Sequence, residues 1–228
     1  MRRRAFAAAV AAAVSLVAAC AETPTSDHPA RVSEADGMQL LHVPADTEFW
    51  IDETEVTNGM YSLCVVEAKC DPPAENNSLT RDAYYGTAEF ANYPVIFVDW
   101  EMAKAYCEWA GRQLPTEAQW EKAARGEDER VYPWGNSAPD PSRANWNDIV
   151  GDTTAVGAYP DGASPFGALD MAGNVWEWTS DFFDGQSTHV LRGGSWNLDD
   201  NSVRATFRGT HPSEPNLGIG FRCALTEG

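Results

Sequence analysis

Basic residues are scarce: 16 lysines and arginines stand against 34 aspartates and glutamates in 228 residues, a formal net charge of −18. A surface of that sign repels phosphates, so nucleic acid is excluded as a partner class. Histidine is scarcer still, with four. His28, His42, His189 and His211 are scattered, with no His-x-His or His-x-x-x-His spacing, so no local motif supplies the histidines of a facial iron site. The nucleophile elbow Gly-x-Ser-x-Gly is also missing, because "RGGSW" around Ser195 departs from it. No apolar run reaches the roughly 18 to 20 residues that a membrane-spanning helix needs. Internal repeats are absent, and so is any linker that would divide the chain beyond Met38.

The apolar run that does exist, Ala5–Ala19, follows three arginines and ends in small residues before Cys20. This is the charge, length and exit pattern of a secretory signal. "VAAC" also has the form of a bacterial lipobox, which makes Cys20 the expected lipidation site and first residue of the mature chain. The expected organisation is a signal peptide over 1–19, a lipidated cysteine and tether over 20–37, and one domain over 38–228. Residues 21–37 are rich in Pro, Ser, Thr and acids, as a tether would be. Cleavage leaves 209 residues carrying −21, enough for one domain with a substantial core.

Setting Cys20 aside leaves four cysteines, an even number that in an exported chain favours disulfides over free buried thiols. Three pairings are possible. The short interval around "VVEAK" makes Cys64–Cys70 the first choice, with Cys107–Cys223 then following by elimination.

Regular elements are legible in the first half. Leu40–Val43 and Glu48–Ile51 read as short strands, and Asn58–Glu67 reads as a helix capped by Thr57. "VDWEMAKAYCEWAG" is a helix capped by Asp99 and stopped by Gly111, with Met102, Ala103, Tyr106, Cys107 and Ala110 on one face. "PTEAQWEKAARG" opens on a capping box of Thr116 and Gln119 and ends at Gly126. From Glu127 onward Gly, Pro, Asn, Asp and Trp dominate. A loop-rich stretch of that length inside one domain needs something to order it.

Bound cations are one means. Calcium takes hard oxygen donors, including the carbonyls of turns. "DMAGNVWEW" places Asp170 and Glu177 around Gly173, with two tryptophans to anchor the loop. "ANWNDIVGD" offers Asn145, Asp148 and intervening carbonyls. The competing reading of both is a set of Asx-turns with satisfied carboxylates. The nine tryptophans read mostly as core, with Trp50 and Trp134 as candidates for exposure.

"EVTNGMYSLCV", "PVIFVDWEMAKAYCEWAGRQLPTEAQWEKAARG", "YPWG", "FGALDMAGNVWEWTSD", "LRGGSW" and "GFRC" follow one another in an order that resembles the formylglycine-generating enzyme, or sulfatase-modifying factor, family. The resemblance runs from about Met38 to Ala224. It implies a compact α+β fold with little regular secondary structure, related to C-type lectins and stabilised by structural calcium. Carried over by position, one calcium site falls on Asn145, the Trp146 carbonyl, Asp148 and the Val150 carbonyl. The other falls on Asp170, the Gly173 and Val175 carbonyls, and Glu177. The family also pairs the cysteines equivalent to Cys107 and Cys223, and its active-site cleft falls on Trp176, Ser195 and Arg204.

The same resemblance argues against the family's oxidation of a sulfatase cysteine. That reaction uses copper(I) on two thiolates shortly after "RGGS", where this chain has Leu198 and Val203; soft donors are missing and no copper is expected. The leading expectation is therefore an exported lipoprotein of the cell envelope that binds a polypeptide or glycan and touches the membrane only through its anchor. The alternative is an enzyme of the same family, either a formylglycine-generating oxidase or a non-heme iron oxygenase with other ligands. A third possibility is a structural component of an envelope assembly.

Overall fold

A computed structural model describes residues 31–183, 185 and 187–226. The expected signal peptide, Cys20 and the first part of the tether lie outside the described residues. Among the described residues, two four-stranded sheets, three α-helices and two single-turn 3-10 helices make up the regular structure, and the rest is loop. No described helix is long and apolar enough to cross a membrane.

The first sheet has the order β1-β2-β3-β8: Arg31–Val32, Gln39–Val43, Phe49–Asp52 and Ala224–Thr226, all antiparallel. The folded unit thus begins before Met38, inside the segment expected to be tether. Asp36 explains why: its buried carboxylate accepts from Tyr106 Oη at 2.6 Å and pairs with Arg112, which also reaches Asp52 at 2.7 Å. An interior ion pair of this kind fixes 31–37 to the domain, where the polar composition alone had suggested a solvated linker.

In the second sheet, of order β6-β5-β4-β7, Gly209–His211, His189–Arg192 and Trp176–Phe182 run antiparallel, and Ile219–Gly220 is parallel to β4. The chain leaves β7 and enters β8 within a few residues, so "GFRC" joins the sheets. Phe221 and Cys223, both buried there, pack with Tyr61, Tyr106 and Trp178 in the main core.

The helices form where their end signals lie. Thr57 caps α1 (Asn58–Val66), and Asp99 caps α2 (Trp100–Trp109) by accepting from Met102 N at 2.8 Å. The box at α3 (Glu117–Arg125) is complete: Thr116 Oγ1 accepts from Gln119 N and Gln119 Oε1 accepts from Thr116 N. Both disulfides are formed as expected, Cys64–Cys70 between α1 and the turn that follows it and Cys107–Cys223 between α2 and the sheet junction.

Candidate functional site

The two acidic loops singled out in the sequence pack against each other. Gly173 has φ +79°, and a Cβ on it would lie 2.2 Å from the Asn145 carbonyl oxygen, so only glycine allows this crossing. Asn174 N donates to that same carbonyl at 2.8 Å. A third segment closes the arrangement: Asp148 N donates to Trp196 O and Asn147 N to Leu198 O, each at 2.9 Å. Asn147, Asp148, Asp170 and Asn174 all take positive φ, a conformation that short polar side chains tolerate.

The charges beside the tryptophans are compensated internally. Glu177 is fully buried, and Arg222 from "GFRC" grips it with two hydrogen bonds of 2.7 and 2.8 Å. Trp120 Nε1 adds a third at 2.7 Å. Asp170 accepts from Gly157 N at 2.6 Å. Glu55 accepts from Asn174 Nδ2 at 2.8 Å and lies equally deep. Three interior carboxylates therefore surround one guanidinium. Burial, then repulsion from Asp170 and Glu177, pushes Glu55 well above the usual carboxylate range. Burial likewise pushes Asp170 up to about 6.

Both expected calcium sets can be tested against these donors. At the first, Asn145 Oδ1 is buried without a hydrogen-bond partner, an oxygen free to serve as a cation ligand. Asp148 and Val150 are exposed, and the Trp146 carbonyl already accepts from Ile149 N at 3.1 Å. At the second, Glu177 Oε1 accepts from Arg222 Nη2 at 2.8 Å and keeps acceptor capacity. Among the described residues no three His, Cys, Asp or Glu side chains are placed to hold an ion. The donor chemistry thus suits a hard cation held largely by amide and carbonyl oxygens, and offers nothing to a soft one.

Trp176 and Ser195 line one cleft of about 410 Å³ on the face of the second sheet. Leu191 and Ile219 contribute to its lining, with Asn197, Leu198, Thr210, His211 and Asn216. Arg204 is not among the lining residues; it is exposed on the turn leading to Phe207, because Val203 and Ala205 on either side are drawn into the core. The two positions implied for copper thiolates are aliphatic in different ways. Leu198 lines the cleft, whereas Val203 is fully buried and would lie 2.9 Å from a Cβ on Gly194. All four described cysteines are in disulfides.

Two expectations change. His189 and His211, far apart in sequence, are cross-strand partners in β5 and β6, and both rings lie about 6 Å from that of Trp178. Trp50 is buried under the Arg31 guanidinium, 4.3 Å from its ring centre, and Trp134 stacks on Tyr132 at 5.1 Å. Neither is a free aromatic surface. Sequence reasoning also passed over Glu55 and Asp152. Asp152 is buried and accepts from Ser78, Thr80 and Thr153 N, which outweigh burial and hold its carboxyl below the usual range. The available signal for Glu55 was its place in "EVTN", one of the ordered motifs.

The family described as "Sulfatase-modifying factor enzyme 1-like domain" matches residues 30–227. A mouse relative, "Inactive C-alpha-formylglycine-generating enzyme 2", is 43% identical over 163 residues, covering 63% of this chain and 52% of its own. The "Formylglycine-generating enzyme" of Streptomyces coelicolor is 32% identical over 257 aligned positions, covering 83% and 82% of the two chains. This chain spans about half the length, or less, of the first curated relatives it matches. Among solved structures, PvdO from Pseudomonas aeruginosa superposes with a TM-score of 0.69 at 21% identity, over 87% of this chain and 98% of that one.

Proposed function

This chain belongs to the sulfatase-modifying factor enzyme 1-like domain family, and from that premise we propose that it is a binding or accessory module without copper oxidase activity. The observation that carries the reading is the pair Leu198 and Val203, aliphatic where the oxidase holds its thiolates. A cleft that keeps Trp176 and Ser195 but has no soft donor binds without oxidising. Its ligand is a polypeptide or a glycan. The decisive assay incubates the purified protein with copper, oxygen and a Cys-x-Pro-x-Arg peptide. No formylglycine is expected, and formation of it at turnover rates overturns the proposal.

Calcium is proposed as the structural ion of the two crossed loops, at one site on each. The orphaned Asn145 Oδ1 and the surplus of buried carboxylates over Arg222 support it. Such ions would be held by oxygen donors of 145–150 and of 170–177, neutralising charge that the interior otherwise has to carry. EDTA should lower the melting temperature and calcium should restore it; a melt indifferent to both overturns this assignment.

Export and lipid anchoring at Cys20 are proposed from the N-terminal pattern, placing the module on the outer membrane or the periplasmic face. A Cys20→Ser chain should leave the membrane fraction and fail to incorporate labelled fatty acid. Retention of both properties counts against the anchor.

The second reading, an iron enzyme, draws on His189 and His211, which strand register makes cross-strand neighbours. Metal analysis of the purified protein separates the two: stoichiometric iron favours the enzyme, and calcium alone the module.

A further inference from the structure

We propose that the cleft beside Trp176 takes an uncharged sugar, one or two rings of a neutral glycan. The inference deepens the binding-module reading and rests on it.

The first observation is electrostatic. Of the twelve residues lining the cleft, none is Asp, Glu, Lys or Arg, in a chain where 22% of residues are charged. His211 is the one titratable side chain in the lining, so a cationic ligand would leave water here with no counter-charge, and an anionic one with at most one imidazolium, which is costly. Anionic ligands would in addition cross the field of a strongly acidic protein.

The second is the setting of Trp176. Its indole lies on the backbone of β6, since a Cβ on Gly209 would sit 2.8 Å from the ring edge. Phe207 braces it at 6.0 Å between ring centres. The ring is only partly buried and contributes to the cleft wall. A fixed, flat, half-desolvated aromatic surface complements the C–H face of a pyranose, which is apolar while the ring's edge is polar.

The third is the polar rim. Asn197, Thr210 and Asn216 supply a hydroxyl and carboxamides, groups that donate and accept as sugar hydroxyls do, while Ser195 lies deeper, its hydroxyl donating to Asn174 O at 3.4 Å. Asn216 is set for this: its Oδ1 accepts from Gly218 N at 2.9 Å, which fixes the amide plane and leaves Nδ2 as a donor.

A polypeptide fits less well. The natural mode would be strand addition along β6, the outer strand of its sheet. That strand has three residues, Gly209–His211, and Pro212 follows immediately with no N–H to offer. Few backbone bonds could form.

The test follows tryptophan fluorescence and calorimetry of the full chain with cellobiose, maltose and chitobiose. Polygalacturonate oligomers serve as the charged control, and a panel of extended peptides runs in parallel. Saturable binding of at least one neutral disaccharide is expected, with the acidic oligomers roughly tenfold weaker or silent. Trp176→Ala should lose binding by roughly tenfold or more. Asn197→Ala, at an exposed position, should weaken it several-fold with an unchanged melt, so that lost affinity is not mistaken for lost folding. Peptide binding that Asn197→Ala weakens, without any sugar binding, overturns the sugar assignment and keeps the module. Formylglycine production from the Cys-x-Pro-x-Arg peptide overturns the module itself. Silence of all three neutral disaccharides at millimolar concentration overturns the proposal as stated.

Discussion

The part of the molecule built on α1 and α2 is held together by rings and disulfides, whereas residues 127–175 are held by buried carboxylates and amides. In the first, Tyr61, Tyr106, Trp178 and Phe221 pack around Cys107–Cys223. In the second, backbone runs through positive φ at Asn147, Asp148, Asp170 and Asn174, Glu55 accepts from Val175 N, Asp152 accepts from Thr153 N, and Glu177 takes the Arg222 and Trp120 side chains. Apolar packing tolerates substitutions that conserve volume. A polar network fails when one member is removed, because its partners are then buried unpaired. The two regions should therefore break in different ways.

The largest effect is expected from the apolar side. Cys107–Cys223 closes a separation of 116 residues, and Cys64–Cys70 one of 6. In the chain-entropy account a ring of about 100 residues stabilises by about 4.7 kcal/mol, and one shorter than about 15 residues by less than about 3 kcal/mol. Replacing Cys107 and Cys223 by serine should therefore cost more than replacing Cys64 and Cys70. Urea denaturation of the two double variants gives the ordering, and equal losses would show that native packing rather than ring size sets the contribution.

On the polar side, Arg222→Met keeps volume but removes the one guanidinium gripping Glu177. Breaking a buried pair by removing one partner costs about 3–5 kcal/mol. The same variant sharpens the calcium proposal. With an ion supplying positive charge nearby, the loss should be smaller in calcium than in EDTA. A loss independent of calcium would mean that the two loops are neutralised by Arg222 alone.

How much of this was legible in the sequence divides along the same line. α1, α2 and α3 were readable because their caps and apolar periodicity are local, and the structure keeps Thr57, Asp99 and the Thr116–Gln119 box at their ends. The polar half was readable only as composition and motif order. Nothing local to Glu177 says that its partner is Arg222, 45 residues away, or that Glu55 approaches Asn174 from 119 residues away. His189 and His211 looked scattered because strand register, which makes them neighbours, is a property of the sheet. The tether boundary slipped for the same reason: Asp36 reads as a linker acid until Arg112 is seen above it. Of the cleft, Trp176 and Ser195 were found through motifs, while Thr210, His211 and Asn216 lie in a stretch with no motif.

Acid–base behaviour gives a smaller effect that crosses the boundary. Asp36 and Asp52 share Arg112. Burial raises Asp36, but Arg112, Ser33, Tyr106 and Met38 N outweigh it and hold its carboxyl below the ordinary value. Asp52, wholly buried, is pushed up to about 7. A carboxyl whose folded pKa exceeds its unfolded one binds its proton more tightly when folded. Its contribution to stability is therefore largest at low pH and is lost as pH rises from about 4 through about 7. Asp170 and Glu55 act in the same direction, and Asp36 opposes them only below its own unfolded value. Urea melts in EDTA should show stability increasing from about pH 8 to about pH 5, with each group contributing at most about 1.4 kcal/mol per pH unit. Asp52→Asn should flatten part of that slope, and an unchanged slope would place the titration elsewhere.

The smallest effect sits where the two regions meet. α3 carries Trp120 into the core beside Phe49 and Met171, and its indole N–H reaches Glu177. Its N-terminal box, by contrast, is a local device: Thr116 and Gln119 satisfy each other's backbone. Thr116→Ala should cost about 1 kcal/mol, and Thr116→Gly less. Because the box shares no partner with Arg222 or with the Cys107–Cys223 bridge, its loss should add to either within about 0.5 kcal/mol in double variants. Additivity with the disulfide but strong coupling to Arg222→Met would mean that the cap helps to aim Trp120 at Glu177, and would move α3 from the boundary into the polar half.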